Sequence, residues 1–488
     1  MTANAPPNPS ASGAQPSDQD VVLVVDLDGT LCRTDTLHEA VLGLAADQPV
    51  MLAKLPGWLS QGKAAMKDAI AAHYVVPGEH LPLNPDVIAK VEAARAAGRR
   101  TALVTASDQR QADLVADTVG MFDEVHGSRN GHNLKGPEKA QFLIDRYGAG
   151  GFDYIGDSQA DLAVWKHARR AVTVQASPAL RRAAEAENAQ VEHIAPPKSL
   201  TSPLLRALRP HQWSKNVLLF LPLLASHDLG AFWAVLLGFL AFCCTASAVY
   251  VINDLFDLAA DRAHPRKRLR PFAAGELTAM TGLAMVGGLL ALALIFGLAT
   301  GNPSFLGVLA VYLGITFAYS LSLKRKLLVD VLTLAALYTI RIVAGGVAAS
   351  LVLSPWLLGF SMFLFLGLAA VKRQAELMDQ LVTGRESSGR AYQVEDLPIL
   401  RGLALSSGMA AVLVLALYIA SDDVQLLYDW PEVLWLVCPI VLYWVLRMVM
   451  TTHRGHMTDD PIVFAAKDRT SQLTIVLAVV TVLVAAFA

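Results

Sequence analysis

The sequence has few cysteines, and none of them lies at a spacing that is typical of a metal site. Its four cysteines are Cys32, Cys243, Cys244 and Cys438, and no CxxC or Cys/His spacing joins them. This absence argues against a zinc site and against a disulfide framework. The first residues, "MTANAPPNPSASGAQPSDQD", also lack the basic and apolar regions of a signal peptide. We therefore predict a disordered leader over residues 1–19.

The sequence also lacks a strong excess of either charge. It has 40 Lys and Arg residues against 42 Asp and Glu residues, a formal net charge of −2. Because the two signs are segregated by loop and not by domain, this balance indicates no partner by itself, and we predict no nucleic-acid partner. Apolar residues are abundant instead: they make up 54% of the chain, and from about residue 215 they form long runs.

Nine apolar windows in the second half of the chain predict transmembrane helices, because about twenty apolar residues cross a bilayer. The windows are 215–226, 231–253, 279–298, 303–321, 328–349, 355–371, 403–420, 431–450 and 471–488. The chain is thus predicted to contact a membrane as a multi-pass, all-α bundle of nine helices.

Lys and Arg residues are distributed unequally among the loops that join these windows. Four loops, 253–278, 322–327, 372–402 and 451–470, hold sixteen of them, whereas the four alternate loops hold none. Loops rich in Lys and Arg stay on the cytoplasmic side. This distribution predicts an inner (cytoplasmic) membrane protein with a cytoplasmic N-terminal domain and an external C-terminus.

A charged stretch, "NDLFDLAADRAHPRKRLRP", directly follows the second apolar window. On a helix, Asn253, Asp254, Asp257 and Asp261 share one face. Carboxylates that converge in this way repel one another unless a hard cation lies between them, and Mg²⁺ takes oxygen ligands and substrate phosphates. The basic residues that follow would suit a polyphosphate. The alternative is a solvated loop helix whose acids pair with its own arginines.

This stretch resembles the first aspartate motif of the UbiA superfamily of intramembrane prenyltransferases, NDxxDxxxDxxxxxxxxRP, and the resemblance covers roughly residues 205–488. It implies that Asp254, Asp257 and Asp261 bind Mg²⁺ and act in catalysis. It also implies a diphosphate substrate. The residues that we expect to contact that substrate in this stretch are Asn253, Arg262, Lys267 and Arg270.

The second aspartate motif of that family is incomplete here. In "YSLSLKRKLLVDVLTLAALYTIRIVAGG" only Asp330 matches, and position 334 is leucine. Three further stretches, "LRPHQWSKNVLLFLPLLA", "HPRKRLRPFAAG" and "LAAVKRQAEL", resemble the branch of the family that makes decaprenyl-phosphate phosphoribose. This likeness implies phosphoribosyl diphosphate and a polyprenyl phosphate as substrates. The additional residues that we expect to contact them are Lys215, Tyr319, Lys324, Arg325, Asp330, Arg341, Lys372 and Arg373.

The first half of the chain has four motifs, of which three lie at the ends of predicted strands and one lies at the start of a predicted helix. "VVLVVDLDGTL" places Asp26 and Asp28 after a buried strand, where open α/β sheets have their sites. One acid can attack phosphorus while its neighbour handles the proton. Downstream lie "RTALVTAS", "LKGPEKAQFL" and "FDYIGDSQADLAVW".

Four elements in this order resemble the haloacid dehalogenase superfamily over about residues 20–175. The resemblance implies a Rossmann-like α/β fold with a small helical cap over 37–90. Asp26 would be the nucleophile and Asp28 the general acid and base. The residues expected on the phosphoryl group are Thr105, Ser107 and Lys139, and those expected near Mg²⁺ are Asp26, Asp28, Asp157 and Asp161. The alternative is an inactive copy kept as a docking module.

We thus predict a phosphatase domain over 20–190, a linker and interfacial segment over 191–208, and a transmembrane domain over 209–488. The predicted function is transfer of 5-phosphoribose to polyprenyl phosphate, with a fused phosphatase that removes the 5-phosphate. An aromatic prenyltransferase that uses an allylic diphosphate and a non-catalytic lipid-binding scaffold are the alternatives. Two features have two open interpretations each. His264 is either a phosphate ligand or a structural residue. The stretch 459–471 is either a lid that carries Lys467 and Arg469 or an ordinary basic loop.

Overall fold

The chain folds into two compact units in a computed structural model. The model describes residues 18–129, 132–195, 199–226, 229–384, 391–422, 424, 428–457 and 460–487. The first unit comprises Met1–Ala207 and Val251–Ala284, and the second comprises Leu208–Tyr250 and Met285–Ala488. Most of the predicted leader, residues 1–17, lies outside the described residues. The aspartate stretch therefore belongs to the first unit, although it lies within the predicted transmembrane domain.

A six-stranded parallel sheet forms the centre of the first unit, in the order β3-β2-β1-β4-β5-β6. Its strands are β1 (Val22–Val25), β2 (Thr101–Asp108), β3 (Glu124–Ser128), β4 (Phe152–Gly156), β5 (Arg170–Val174) and β6 (Val191–Ile194). Every residue of β1 and β4 is buried, as expected for strands that are covered on both faces. Apolar clusters pack on both faces of this sheet.

The sheet extends further along the chain than the sequence predicts. Strand β6 pairs with β5, although its residues fall within the predicted linker 191–208. Its sequence, "VEHI", is only four residues long and is half-buried throughout. A strand this short carries too little alternation to be recognised from its pattern.

Helices cover the sheet and form the predicted cap. The α-helices of this part are Thr36–Asp47, Leu55–Ser60, Lys63–His73, Pro85–Ala96, Gln109–Val119, Pro137–Tyr147, Leu162–Trp165, Pro178–Glu187 and Thr201–Leu208. The 3₁₀-helices are Pro49–Lys54, Gly78–His80 and Gln159–Asp161. The first three α-helices occupy most of the predicted cap region, 37–90.

The aspartate stretch is not one continuous helix. The helix Phe232–Phe256 ends just before Asp257, and a short helix, Leu258–Ala263, follows it. Asp257 lies between them with φ −93° and ψ 11°, outside the helical range. The face that the sequence predicts for the three aspartates is therefore interrupted. The stretch continues through the 3₁₀-helix Lys267–Leu269.

Within the described residues, eight helices are long and apolar enough to cross a membrane. They are Leu229–Phe256, Ala279–Ala299, Pro303–Leu321, Val329–Ala348, Pro355–Val382, Val394–Ile419, Pro431–His453 and Arg469–Ala486. The protein is therefore a multi-pass membrane protein.

The structure differs from the sequence prediction at the first of the nine expected spans, 215–226. This segment forms a 3₁₀-helix, Pro210–Phe220, and a five-residue α-helix, Leu221–Ala225. Each of the two begins with a proline in its first turn, and proline cannot donate a backbone hydrogen bond to the preceding turn. Among the described residues, the other short helices of the second unit are the 3₁₀-helices Leu229–Ala231, Leu323–Arg325, Val394–Asp396 and Pro431–Leu436 and the α-helix Pro461–Lys467.

Candidate functional site

A cleft opens where β1, β2 and β4 end. Asp26 and Asp28 follow β1, Ser107 lies near the end of β2, and Asp157 follows β4. The carboxyl ends of neighbouring parallel strands meet at one edge of a sheet, and this is where open α/β sheets bind ligands. These four side chains line one cavity together with Lys139. The structure thus brings the four sequence motifs of the first half of the chain together.

Three carboxylates converge at this cleft. Oxygen atoms of Asp26, Asp157 and Asp161 all lie within 4.8 Å of one another. Gly29, at φ +76°, allows this approach, because a Cβ atom there would lie 2.1 Å from Oδ2 of Asp157. An all-oxygen set of this kind fits Mg²⁺.

Of these three carboxylates, Asp161 also has a structural role. Its Oδ2 accepts hydrogen bonds from the backbone N–H groups of Asp157 and Ser158, and its Oδ1 accepts one from the Tyr154 hydroxyl. The side chain is buried and holds the loop that carries Asp157. Asp26 and Asp157 are therefore better placed than Asp161 to contact a metal ion directly.

The environment of Asp26 suits a nucleophile. Its Oδ1 lies 2.9 Å from Nζ of Lys139, which also donates a hydrogen bond to the Tyr154 hydroxyl. Burial raises the pKa of Asp26 to about 6, although the charge of Lys139 opposes this rise. Asp26 is thus mostly ionised at neutral pH and becomes protonated in mild acid.

Asp28 is held by two hydrogen-bond donors in a half-buried position. The backbone N–H of Thr36 donates to its Oδ1 at 2.7 Å, and the hydroxyl of Ser107 donates to its Oδ2 at 2.5 Å. Burial raises the pKa of Asp28, and the nearby charge of Asp35 raises it further. A carboxyl group with a raised pKa is suited to general acid and base catalysis.

Of the two hydroxyl residues that the sequence predicts on the phosphoryl group, Ser107 lines the cavity. Thr105 is fully buried, and its hydroxyl accepts a hydrogen bond from the backbone N–H of Ser107 at 3.0 Å. Thr105 therefore shapes the end of β2, whereas Ser107 faces the cleft. The two positions are two residues apart and so share one face of the strand, which is why the sequence could not rank them.

Sequence reasoning missed Lys67. It lies on the helix Lys63–His73, lines the same cavity, and donates hydrogen bonds to the Ala106 carbonyl and the Asn133 side chain. Burial lowers the pKa of this lysine. Lys67 adds a second cation to the cleft. The cap helix carries no sequence motif, so only the fold could identify it.

The aspartate stretch brings two of its three acids together. Asp254 and Asp261 are buried, and Nη1 of Arg270 lies 3.1 Å from one carboxylate and 2.6 Å from the other. Asp257 is exposed at the break between the two helices. Nζ of Lys267 lies 3.9 Å from Asp261. Arg270 therefore compensates the two buried carboxylates directly.

Two other predicted residues of this stretch have different surroundings. The backbone carbonyl of Asn253 accepts a hydrogen bond from the N–H of Asp257, so Asn253 belongs to the last turn before the break. Arg262 is buried, and its guanidinium donates to Glu39 and to the carbonyl of Ala273. The donors of Arg262 are thus used within the protein, which disfavours the predicted contact with substrate.

In the second unit, two lysines contact one carboxylate. Lys215 and Lys372 lie 3.1 Å and 2.9 Å from Oδ2 of Asp460, and the Tyr338 hydroxyl donates to the same group. Burial raises the pKa of Asp460, but the charges of Lys372 and Lys215 outweigh this effect and lower it below its usual range. Asp460 is therefore ionised. The sequence left open whether 459–471 is a lid or an ordinary basic loop, and it gave no signal for Asp460 as the partner of these lysines.

Asp330 and Arg373 form a buried ion pair. Nε of Arg373 lies 2.8 Å from Oδ2 of Asp330, and the Tyr319 hydroxyl donates to Oδ1 at 2.8 Å. Arg373 also contacts Glu376. The single acid that matches the second family motif is therefore engaged by an arginine of another membrane helix.

The remaining predicted cations of the second unit differ in burial. Arg341 is buried, with Asn216 and the Tyr312 hydroxyl as neutral hydrogen-bond partners. Lys324 is half-buried and Arg325 is exposed on the 3₁₀-helix Leu323–Arg325.

Comparison with known proteins agrees with the fold of both parts. Residues 23–166 match the family described as haloacid dehalogenase-like hydrolase. The chain is thus a multi-pass membrane enzyme with a hydrolase-type domain at its N-terminal side. It belongs to the UbiA prenyltransferase family, which matches residues 217–467.

The similar proteins include one relative that matches most of the chain and others that match a smaller part of it. A protein named y4nM from Sinorhizobium fredii is 40% identical over 93% of this chain and 89% of its own length. A decaprenyl-phosphate phosphoribosyltransferase from Mycolicibacterium smegmatis is 33% identical over 57% of this chain and 90% of its own length. The membrane part is therefore a UbiA-type transferase homologous to phosphoribosyltransferases.

Among solved structures, a UbiA homologue from Archaeoglobus fulgidus bound to DMAPP and Mg²⁺ is similar to this chain. The TM-score is 0.45 and the sequence identity 16%, over 57% of this chain and 98% of the homologue.

Proposed function

We propose that this chain is a bifunctional enzyme of the inner membrane with a cytoplasmic N-terminal domain and an external C-terminus. Its membrane part transfers 5-phosphoribose from phosphoribosyl diphosphate to a polyprenyl phosphate, and its hydrolase-type domain removes the 5-phosphate from the product. The observation that carries the proposal is the number of buried or half-buried cations among the membrane helices. Lys215, Arg341, Lys372 and Arg373 suit two anionic substrates better than one anionic and one aromatic substrate.

The aspartate stretch is the proposed site for the pyrophosphate of the donor. Asp254, Asp257 and Asp261 supply carboxylate oxygens, and Arg270 contacts two of these acids, Asp254 and Asp261, and orients them. When bound, Mg²⁺ would neutralise the charge that develops on the leaving pyrophosphate. Lys267 adds positive charge beside Asp261.

The lysine pair is the proposed site for the phosphate of the lipid acceptor. Lys215 and Lys372 share one carboxylate, and a phosphate offers the same oxygen chemistry with more charge. In the transfer, an oxygen of the lipid phosphate forms a bond to C1 of the ribose. The bond between C1 and the pyrophosphate oxygen breaks, and pyrophosphate leaves with the electron pair. The name of the relative from Mycolicibacterium smegmatis, decaprenyl-phosphate phosphoribosyltransferase, supports a phosphoribosyl group and a polyprenyl phosphate as the reacting groups.

In the phosphatase step, the carboxylate of Asp26 attacks the phosphorus of the 5-phosphate and Asp28 gives a proton to the departing ribose oxygen. Asp28 then takes a proton from water, which attacks the phosphorus and releases inorganic phosphate from Asp26. Lys139 and Ser107 contact these two acids and are suited to hold the phosphoryl oxygens. Mg²⁺ in this cleft would screen the repulsion between the phosphate and the carboxylates.

Labelled phosphoribosyl diphosphate tests the transfer step. Purified wild-type protein with Mg²⁺ and polyprenyl phosphate should yield a labelled lipid, and the Asp254→Ala variant should not. If wild type forms no labelled lipid but converts an allylic diphosphate and an aromatic acceptor, the chain is an aromatic prenyltransferase. Lipid binding without turnover of either donor would support a non-catalytic scaffold.

The phosphate content of the lipid product tests the second step. Wild type should yield a lipid-linked ribose without its 5-phosphate, whereas Asp26→Asn should accumulate the phosphorylated form. An unchanged phosphate content in the Asp26→Asn product would contradict the proposed role of the hydrolase-type domain.

A further inference from the structure

A buried ion pair connects the phosphatase fold with the aspartate stretch in the first unit. Nη1 of Arg262 donates to Oε2 of Glu39 at 2.7 Å, and Nη2 donates to Oε1 at 2.5 Å. Only 5% of either side chain is exposed. A two-point contact between a guanidinium and a carboxylate restricts both position and orientation.

The two partners lie beside the two proposed reaction sites. Glu39 is on the helix Thr36–Asp47, whose first residue donates its backbone N–H to Asp28 in the phosphatase cleft. Arg262 directly follows Asp261 in the aspartate stretch. The ion pair therefore links a cap helix to the chain immediately beside a proposed pyrophosphate ligand.

The same guanidinium also joins two parts of the aspartate stretch. Nε of Arg262 donates to the backbone carbonyl of Ala273 at 3.1 Å. Residues 262 and 273 are the two ends of the basic segment that contains Arg270. Because Arg270 contacts both Asp254 and Asp261, holding the two ends of this segment also holds the two acids relative to each other.

Close backbone packing supports this attachment. Gly275 has φ +69°, and a Cβ atom there would lie 2.9 Å from Cβ of Arg33 and 3.0 Å from Cγ of Pro82. No larger residue fits without a shift of these phosphatase residues. Thr278, three residues further on, lines the phosphatase cavity. The segment therefore contacts the phosphatase fold at more than one point.

We propose that Glu39 is a positioning residue for the transfer reaction, although it belongs to the phosphatase fold. It orients the aspartate stretch through Arg262, so the hydrolase-type domain supports the transferase independently of its own chemistry. The kinetic test of this role rests on the proposed transfer activity. The structural part of the inference can be tested without any substrate.

The test compares Glu39→Gln with wild type in the full-length protein. The variant keeps the shape of the side chain but leaves Arg262 without a charged partner. We expect kcat/KM for the transfer to fall at least about tenfold, because small displacements of positioned groups are costly to rate. Hydrolysis of p-nitrophenyl phosphate should stay within about twofold of wild type, because the cleft residues are unchanged. Amides of 261–275 should exchange with solvent faster in the variant.

Two further variants make the result specific. Glu276→Gln removes a charge just after this segment, where Glu276 contacts Arg206 at a more exposed position, and should behave as wild type. The double variant Glu39→Gln/Arg262→Gln should lose no more transfer activity than the more affected single variant, because both changes remove one interaction.

Three results would overturn the inference. The first is that the amides of residues 261–275 exchange with solvent at the same rate in Glu39→Gln as in wild type. The second is that this variant loses transfer and phosphatase activity equally. The third is that the losses of transfer activity are additive in the double variant. If wild type shows no phosphoribosyl transfer, the proposed function fails, and the exchange experiment alone decides whether Glu39 orders the segment.

Discussion

The chain contains two acid clusters that compensate their charge in different ways. In the phosphatase cleft, Asp26, Asp157 and Asp161 bring oxygens within 4.8 Å of one another, and Lys139 contacts one of them. In the aspartate stretch, the guanidinium of Arg270 lies against both buried acids. Converging carboxylates form a ready set of metal ligands, whereas carboxylates held by an arginine are stable without a metal.

The variant with the largest expected effect tests whether the two acid clusters support separate reactions. Asp26→Asn removes the proposed nucleophile, so phosphatase activity should fall at least about 10³-fold, as for other residues of a catalytic group. Transfer measured with labelled phosphoribosyl diphosphate should remain within about twofold of wild type. A parallel loss of transfer would contradict independent chemistry at the two clusters.

The second prediction concerns Arg270, the cation that contacts the two buried acids of the aspartate stretch. Arg270→Gln removes the guanidinium that contacts both Asp254 and Asp261 and should lower stability by about 2 kcal/mol in Mg²⁺-free buffer. Added Mg²⁺ should stabilise this variant more than wild type, because the ion would replace the missing charge. Thermal unfolding with and without Mg²⁺ measures both effects. Arg268→Gln, an exposed arginine of the same loop, is the control.

The third prediction follows from the raised pKa of Asp26. As pH falls through about 6, the carboxylate binds a proton and loses its nucleophilic electron pair. Phosphatase kcat/KM should therefore decline below pH 6 by roughly tenfold per pH unit. Raising the Mg²⁺ concentration should move this decline to lower pH, because the cation favours the ionised form. A flat profile between pH 5 and pH 7 would argue against this role of Asp26.

The smallest expected effect concerns the lysine pair of the second unit. Asp460→Asn removes the carboxylate charge that Lys215 and Lys372 share, so an anionic acceptor should bind more tightly. We expect the KM for polyprenyl phosphate to fall about fivefold, equivalent to ~1 kcal/mol. Asp468→Asn, which removes the partner of Arg447, should leave this KM unchanged. A raised KM in Asp460→Asn would place the acceptor phosphate elsewhere.

The residues that could be predicted from the sequence lie in short motifs. Asp26, Asp28 and Asp157 follow apolar strands, and parallel strands bring such residues to one edge. Their convergence therefore follows from pattern and topology. Lys67 and Glu39 could not be predicted in the same way, because each lies on a cap helix without a motif and is defined only by what it contacts.

The aspartate stretch shows a different limit of prediction. Helical spacing puts Asp254, Asp257 and Asp261 on one face, but the helix breaks at Asp257. The break leaves Asp257 exposed, while Asp254 and Asp261 meet at Arg270. Periodicity describes only an unbroken helix, so the actual grouping depends on a contact with a residue 16 positions away.

The two classes of fold can be predicted from the sequence alone, as can the apolar length that makes the chain a membrane protein and the motifs that carry its charged residues. These features follow from the pattern of apolar and polar residues that are close together in the sequence. Which charges pair is known only from the folded chain: Glu39 pairs with Arg262, Asp330 with Arg373, and Asp460 with two lysines. Such pairs join residues far apart in sequence, and burial makes each depend on its partner, so only the folded arrangement defines them.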